Sequence, residues 1–207
     1  MASDIWEFIH PERDALASDL DGISDEQWAL PSPCDRWTVR QVVAHMTTAA
    51  MMTPAKFVVS LAASGFSFPK YADKELAKYV GSTPHEALEL FRAAAHRTTA
   101  PPGRGETWMG ETVVHSEDVR RPLEIPHTYD MAGLRRVADF YAGSNLIIGA
   151  KKRVEGVRLE ATDTDWTKGD GPVAQGPMLA IVLAMTGRKP GIDELTGEGV
   201  ELLRQRS

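Results

Sequence analysis

Cysteine is almost absent from this sequence. Its 207 residues include one cysteine, Cys34, which excludes an internal disulfide and is typical of proteins in a reducing compartment. We therefore expect a cytoplasmic protein. No signature of a cysteine enzyme surrounds Cys34, so we interpret it as a loop residue rather than as a nucleophile.

Long apolar runs and basic clusters are also missing. The longest apolar run, Met178–Met185, has eight residues, whereas a helix that crosses a membrane needs about 20. The acidic N-terminal stretch lacks the basic-then-apolar pattern of a signal peptide. The formal net charge is −6, with no basic stripe, which argues against nucleic acid as a partner. We expect neither a membrane nor a nucleic-acid partner.

The remaining composition is that of an ordinary globular chain. Hydrophobic residues make up 43% and charged residues 25% of the sequence, and no internal repeat or low-complexity tract interrupts it. A chain of this length can bury one substantial core, with or without a small additional part.

Helical spacing of apolar residues dominates the first three quarters of the chain. Residues 62–73 and the Pro- and Gly-rich segment 99–105 are predicted to be irregular. Pro11 is expected either to begin the first helix or to kink it. The pattern predicts five helices, at about residues 4–20, from 37 through His45, 84–97, 107–122 and 131–152.

The periodicity changes after Gly156. Residues 157–161 alternate between apolar and polar, which predicts a strand, and the residues around Lys168 and Val173 indicate further strands. Gly176 and Pro177 then precede a buried helix. We therefore predict a mostly α fold, with a helical bundle over residues 1–155 and a small α+β region over residues 156–207.

Three side chains have the residue types and spacing of a metal site. Glu111 and His115 are four residues apart, so on a helix they share one face. His45 follows an apolar run that begins at Val39 and should also face inward. Two nitrogens and one carboxylate leave a coordination position open, as in catalytic zinc sites. Alternatively, the Glu-x-x-x-His pair arises by chance and His45 is an ordinary core residue.

The surrounding segments resemble a known family. PSPCDRWTVRQVVAHM, which ends one residue after His45, is similar to the opening of the mycothiol-dependent maleylpyruvate isomerase family in the DinB-like superfamily. GETVVHSEDVRRPL, which contains Glu111 and His115, continues the match. VRLEATDTDWTKGDGP and GPMLAIVLAMTGR resemble the C-terminal part of many members. The resemblance spans nearly the whole chain in order.

The resemblance implies a DinB-like four-helix bundle in which His45, Glu111 and His115 are catalytic metal ligands. It also implies mycothiol as a cosubstrate. A divalent metal, with Zn²⁺ expected and iron, nickel or manganese as alternatives, would activate this low-molecular-weight thiol for attack on a small electrophile. The family's isomerase is expected to have a larger C-terminal domain than residues 156–207, so the short tail argues against isomerase activity but not against the metal and thiol chemistry. Because other relatives are thiol S-transferases, the resemblance indicates the chemistry better than the substrate.

Four further residues are assigned provisional roles. Asp118 could orient a ligand imidazole, or be a solvated acid near the helix end. Trp108 could line the pocket mouth, and Arg188 could bind an acidic substrate or cap a helix C-terminus. His96 is the reserve ligand if Glu111 is not one.

Two other functions remain open at this point. The same site could activate water, which would make the protein a metal-dependent hydrolase. A non-catalytic DinB-like ligand-binding protein is the third hypothesis. The sequence leaves open whether the protein is a monomer or a homodimer.

Overall fold

The computed structural model describes residues 3–34, 36–146 and 148–207. The chain divides into two compact units, with the boundary between His127 and Thr128. Each unit has its own helices, and the strands of the described chain all lie in the second.

A four-helix bundle forms the first unit, as the resemblance implied. Each of its four long helices packs against two of the others. The bundle helices are α1 (Ser3–Asp19), α3 (Val39–Met51), α6 (Pro84–Ala94) and α7 (Gly105–Arg120), where α1 and α3 each contact α6 and α7. Shorter helices complete the unit: α2 (Asp25–Trp28), α4 (Pro54–Ala63) and α5 (Phe68–Leu76).

Apolar side chains from the bundle helices meet in a core. Phe91 of α6 and Met46 of α3 are fully buried, and α1 and α7 contribute Leu16 and Val119. Burying an aliphatic or aromatic side chain of this size contributes about 1.5–3 kcal/mol. The bundle is therefore held together by its apolar faces and does not depend on a ligand for most of its burial.

A capping box fixes the start of α3. The Thr38 hydroxyl accepts from the backbone N–H of Gln41, and the Gln41 side chain accepts from the backbone N–H of Thr38. These two bonds satisfy donors that an uncapped helix leaves open. They set the register that places His45 almost two turns into the helix.

One prediction for the first unit needs correction. The segment 62–73 is not irregular throughout, because α5 begins at Phe68. A proline in the first turn suits a helix start, and Tyr71 and Leu76 give α5 a buried side. The first helix, in contrast, spans Ser3–Asp19, close to the predicted residues 4–20, and runs through Pro11 rather than beginning there.

The second unit combines helices with a small sheet. The sheet has strand order β2-β1-β3, with β1 antiparallel to β2 and parallel to β3. Its elements are α8 (Met131–Gly143), α9 (Ala150–Arg153), β1 (Arg158–Ala161), β2 (Thr167–Lys168), β3 (Val173–Gly176), α10 (Met178–Met185), α11 (Lys189–Asp193) and α12 (Val200–Arg204).

The prediction that strands occur only after Gly156 is confirmed for the described residues. The unit boundary, however, falls at residue 127/128 rather than at 155/156, because α8 packs against α10. The fifth predicted helix also ends early, at Gly143. There the Asn145 side chain accepts from the backbone N–H of Lys152, which stabilises a turn in place of continued helix.

Within the described ranges, no helix combines the length and the hydropathy that crossing a membrane would require.

Candidate metal centre

Two packed helices bring the three predicted ligands together. His45 projects from α3, while Glu111 and His115 project from α7. The Nε2 atom of His45 lies 4.0 Å from Oε1 of Glu111, and the two imidazole ring centres are 4.8 Å apart. One ligand atom from each residue lies within 4.8 Å of the other two. A small adjustment would bring all three to the 2.0–2.2 Å bond lengths of zinc with N and O ligands.

The site is sheltered but not sealed. The side chains of Glu111 and His115 are 10% and 13% exposed, and the imidazole of His45 is 28% exposed. Access is therefore from the His45 side. Three ligands with one accessible side are the arrangement of a catalytic rather than a structural metal site.

The Glu111 carboxylate has no hydrogen-bond partner among the described residues, although both of its oxygens are buried. Burial raises the pKa of Glu111, and the electrostatic effects of the neighbouring His115 and Arg13 side chains oppose this shift. A buried carboxylate without donors is costly. A divalent cation bound to its oxygens would remove that cost, so the donor set fits a metal.

Asp118 orients one of the two histidines. Its side chain is 1% exposed, and its Oδ2 lies 2.9 Å from Nδ1 of His115. An ionised carboxylate can only accept, so Nδ1–H of His115 donates to it. The lone pair of Nε2 is then available to bind a metal. Metal-ligating histidines commonly have this arrangement, in which the other ring nitrogen donates its hydrogen to a carboxylate.

Trp37 lies against the site, although it was not among the residues predicted from the sequence. Its ring centre is 4.5 Å from that of His45 and 6.2 Å from that of His115. The indole thus packs against the imidazole of His45 and lies near that of His115. No spacing rule reveals this, because Trp37 lies in the turn before α3 rather than on a helix face.

Comparison with known proteins identifies the family. The family model described as the mycothiol maleylpyruvate isomerase N-terminal domain matches residues 9–115. The chain belongs to this family. His45, Glu111 and His115 all lie inside the match, with His115 as its last residue. The family assignment from the sequence is thereby confirmed.

Two solved structures resemble the chain across the fold. A crystal structure of the mycothiol-dependent maleylpyruvate isomerase has a TM-score of 0.60 at 14% identity. A structure of its histidine-to-alanine mutant has a TM-score of 0.62, also at 14% identity. Each alignment covers 96% of this chain and 93% of the isomerase chain. No protein in the search of curated proteins matches.

The coverage corrects one expectation. Because this family member spans 93% of the isomerase chain, the isomerase does not have a substantially larger C-terminal domain. The length of residues 156–207 is therefore no argument against isomerase activity.

The other candidate residues have contacts of their own. His96 is 68% exposed and pairs with Asp14 at 3.0 Å. Trp108 lies against Gly103, where an added Cβ would approach its ring to 2.9 Å. Arg188 belongs to the second unit, where its Nη1 donates to the carbonyl oxygen of Thr186, the C-cap residue of α10, at 3.4 Å. This contact agrees with the helix-capping alternative, while a role for Arg188 toward substrate stays a prediction.

Cys34 is a loop residue, as expected. It is half-buried and packs against the bundle core. The Ser32 hydroxyl donates to its carbonyl oxygen and accepts from its backbone N–H. These bonds hold the turn that leads into Trp37.

Proposed function

We propose that this protein is a mycothiol-dependent metalloenzyme in which His45, Glu111 and His115 hold one divalent ion, with zinc the best fit to the donor set. The observation that carries the proposal is that one ligand atom from each of these residues lies within 4.8 Å of the other two, while the buried Glu111 carboxylate has no hydrogen-bond partner in the described part of the chain. When bound, the ion would supply positive charge that favours the thiolate form of a thiol, which is the reactive form.

The chain's own side chains would prepare the site for that thiol. Asp118 holds His115 in the tautomer that presents Nε2, and the Trp37 ring shields one side of the His45 imidazole from water. The more exposed edge of His45 leaves room for the thiol to enter. Asp118 thus has a positioning role, whereas the three ligands contact the reacting centre.

The reaction class we propose is addition of mycothiol to a small conjugated electrophile. In the isomerase version, the thiolate forms a C–S bond to a cis double bond, the resulting single bond rotates, and elimination of the same thiolate restores the double bond as trans. In the transferase version, the C–S bond remains and a proton completes the product. Family membership and the likeness to maleylpyruvate isomerase favour the first version.

A thiol-dependence assay tests the proposal. Zinc-loaded protein is incubated with maleylpyruvate, or with a chromogenic electrophile, in the presence and absence of mycothiol. We expect isomerisation or conjugation only with mycothiol, lost on Glu111→Gln and retained in His96→Ala, which changes an exposed histidine. Turnover of ester or amide substrates without thiol would instead establish a hydrolase. Binding of zinc without either activity would contradict the enzyme proposal.

A further inference from the structure

Arg13 is a buried cation whose described contacts are weak. Its guanidinium carbon lies 6.0 Å from the centre of the Trp6 ring, at the outer range of a cation–π interaction. The residue is 2% exposed, although arginine is almost never fully buried unless it is paired. Its Nη1 lies 3.5 Å from the carbonyl oxygens of Ala95 and Arg97, the outer limit for a hydrogen bond. Its buried Nε has no hydrogen-bond partner among the described residues. These weak contacts do not account for burying a full positive charge.

The packing of α1 against α7 places Arg13 beside the metal centre. Near one end of the pair, an added Cβ at Gly105 would lie 2.8 Å from Ile5. Near the other end, Nε of Arg120 donates to Asp19 at 2.7 Å. The helices therefore run side by side in the same direction. Arg13, eight residues beyond Ile5, is level with position 113, about 3 Å along the axis from Glu111 at 1.5 Å per residue.

The two side chains are complementary in charge and alike in burial. Both oxygens of Glu111 are buried and lack a hydrogen-bond donor in the described chain, just as Nε of Arg13 lacks an acceptor. Burial acts against both charges, since it raises the pKa of Glu111 and lowers that of Arg13, and the attraction between the two side chains opposes this shift in each case. Opposite charges in a poorly hydrated interior interact strongly even without touching.

We propose that Arg13 is a positioning residue whose buried guanidinium compensates the charge of the Glu111 carboxylate across the α1–α7 interface while no metal is bound. The inference rests on the proposed metal site, since it explains how a ligand carboxylate persists inside the bundle before the ion arrives. The charge of Arg13, rather than a direct bond, supplies this compensation.

A double-mutant cycle on the metal-free protein tests the proposal. Arg13→Met, Glu111→Gln and the double variant are unfolded in urea at pH 8 with a chelator present. We expect the Glu111→Gln change to destabilise the Arg13→Met protein less than it destabilises the wild type, or to stabilise it. The coupling should be at least about tenfold in the unfolding equilibrium constant, or about 1.4 kcal/mol. Arg13→Lys, which keeps the charge, should retain most of this coupling.

A matched control uses another arginine. Arg121 pairs with Glu117 at 3.0 Å and is ten positions from Glu111, so Arg121→Met should show no coupling to Glu111→Gln beyond error. Coupling of less than about twofold between Arg13 and Glu111 would overturn the proposal. So would equal coupling for Arg121, or loss of the coupling in Arg13→Lys.

The cycle remains informative if Arg13→Met does not fold. Recovery of folding by the added Glu111→Gln change would support the proposal, and failure of the double variant to fold would overturn it. The measurement does not require metal or thiol. A wild-type protein that binds no zinc would refute the proposed function and leave the coupling between Arg13 and Glu111 as a separate result.

Discussion

Replacing Asp118 by asparagine should weaken zinc binding while leaving the fold intact. The carboxylate accepts from Nδ1–H of His115 at 2.9 Å and is 1% exposed, so water cannot take its place. A hydrogen bond to a charged group contributes about 1.5–3 kcal/mol. Asparagine keeps an acceptor oxygen but loses the charge, and its amide can turn to present a donor, which would favour the wrong imidazole tautomer.

We therefore expect Asp118→Asn to bind zinc about 10–100-fold more weakly than wild type, equivalent to about 1.4–2.7 kcal/mol. Competition against a chromophoric chelator measures the affinity, and circular dichroism checks the helix content. Glu117→Gln is the matched control, because the same chemical change occurs one residue away, in a carboxylate that pairs with Arg121 at 3.0 Å. Unchanged affinity in Asp118→Asn, or an equal loss in Glu117→Gln, would refute the role assigned to Asp118.

Three further outcomes are expected. His115→Ala should abolish mycothiol-dependent turnover and bound metal while the bundle still folds; a variant that loses metal yet reacts at the wild-type rate would mean that the thiol is activated elsewhere. Cys34→Ser should leave turnover nearly unchanged, and a loss of more than about a hundredfold, roughly 2.7 kcal/mol of barrier, would make Cys34 catalytic. Burial raises the pKa of Glu111 above its ordinary value of 4.5 in the metal-free protein. The protonated side chain therefore contributes its full stability below pH 4.5, and this contribution is lost as the pH rises through the pKa that Glu111 has in the folded protein. With chelator present, the melting temperature of Glu111→Gln minus that of the wild type should therefore increase from pH 5 to pH 8. A difference that stays constant across that range would contradict this.

Local signals in the sequence account for much of the bundle and for the ligand trio. The capping residues around Thr38 fix the register of α3, and the four-residue spacing of Glu111 and His115 needs only a helix to bring them to one face. Family resemblance supplied the link between these two residues and His45. That link joins positions far apart in the chain, which periodicity alone cannot connect.

Features set by tertiary contacts could not be predicted. From the sequence alone, Arg13 would be placed on the exposed side of α1. It is buried because of how α1 packs against α7. The contact between the rings of Trp37 and His45 depends on a turn rather than on a helix face. The assignment of α8 to the second unit follows from its contact with α10, which lies more than 30 residues further along the chain.

Zinc titration of metal-stripped protein tests the central claim most directly. Wild type and His115→Ala are freed of metal by chelator and titrated with zinc in a calorimeter. We expect one zinc per wild-type chain and a large loss of affinity in His115→Ala, because two remaining ligands cannot hold a catalytic ion tightly. Absence of zinc binding by the wild type, or equal binding by the two proteins, would contradict the metal centre formed by His45, Glu111 and His115.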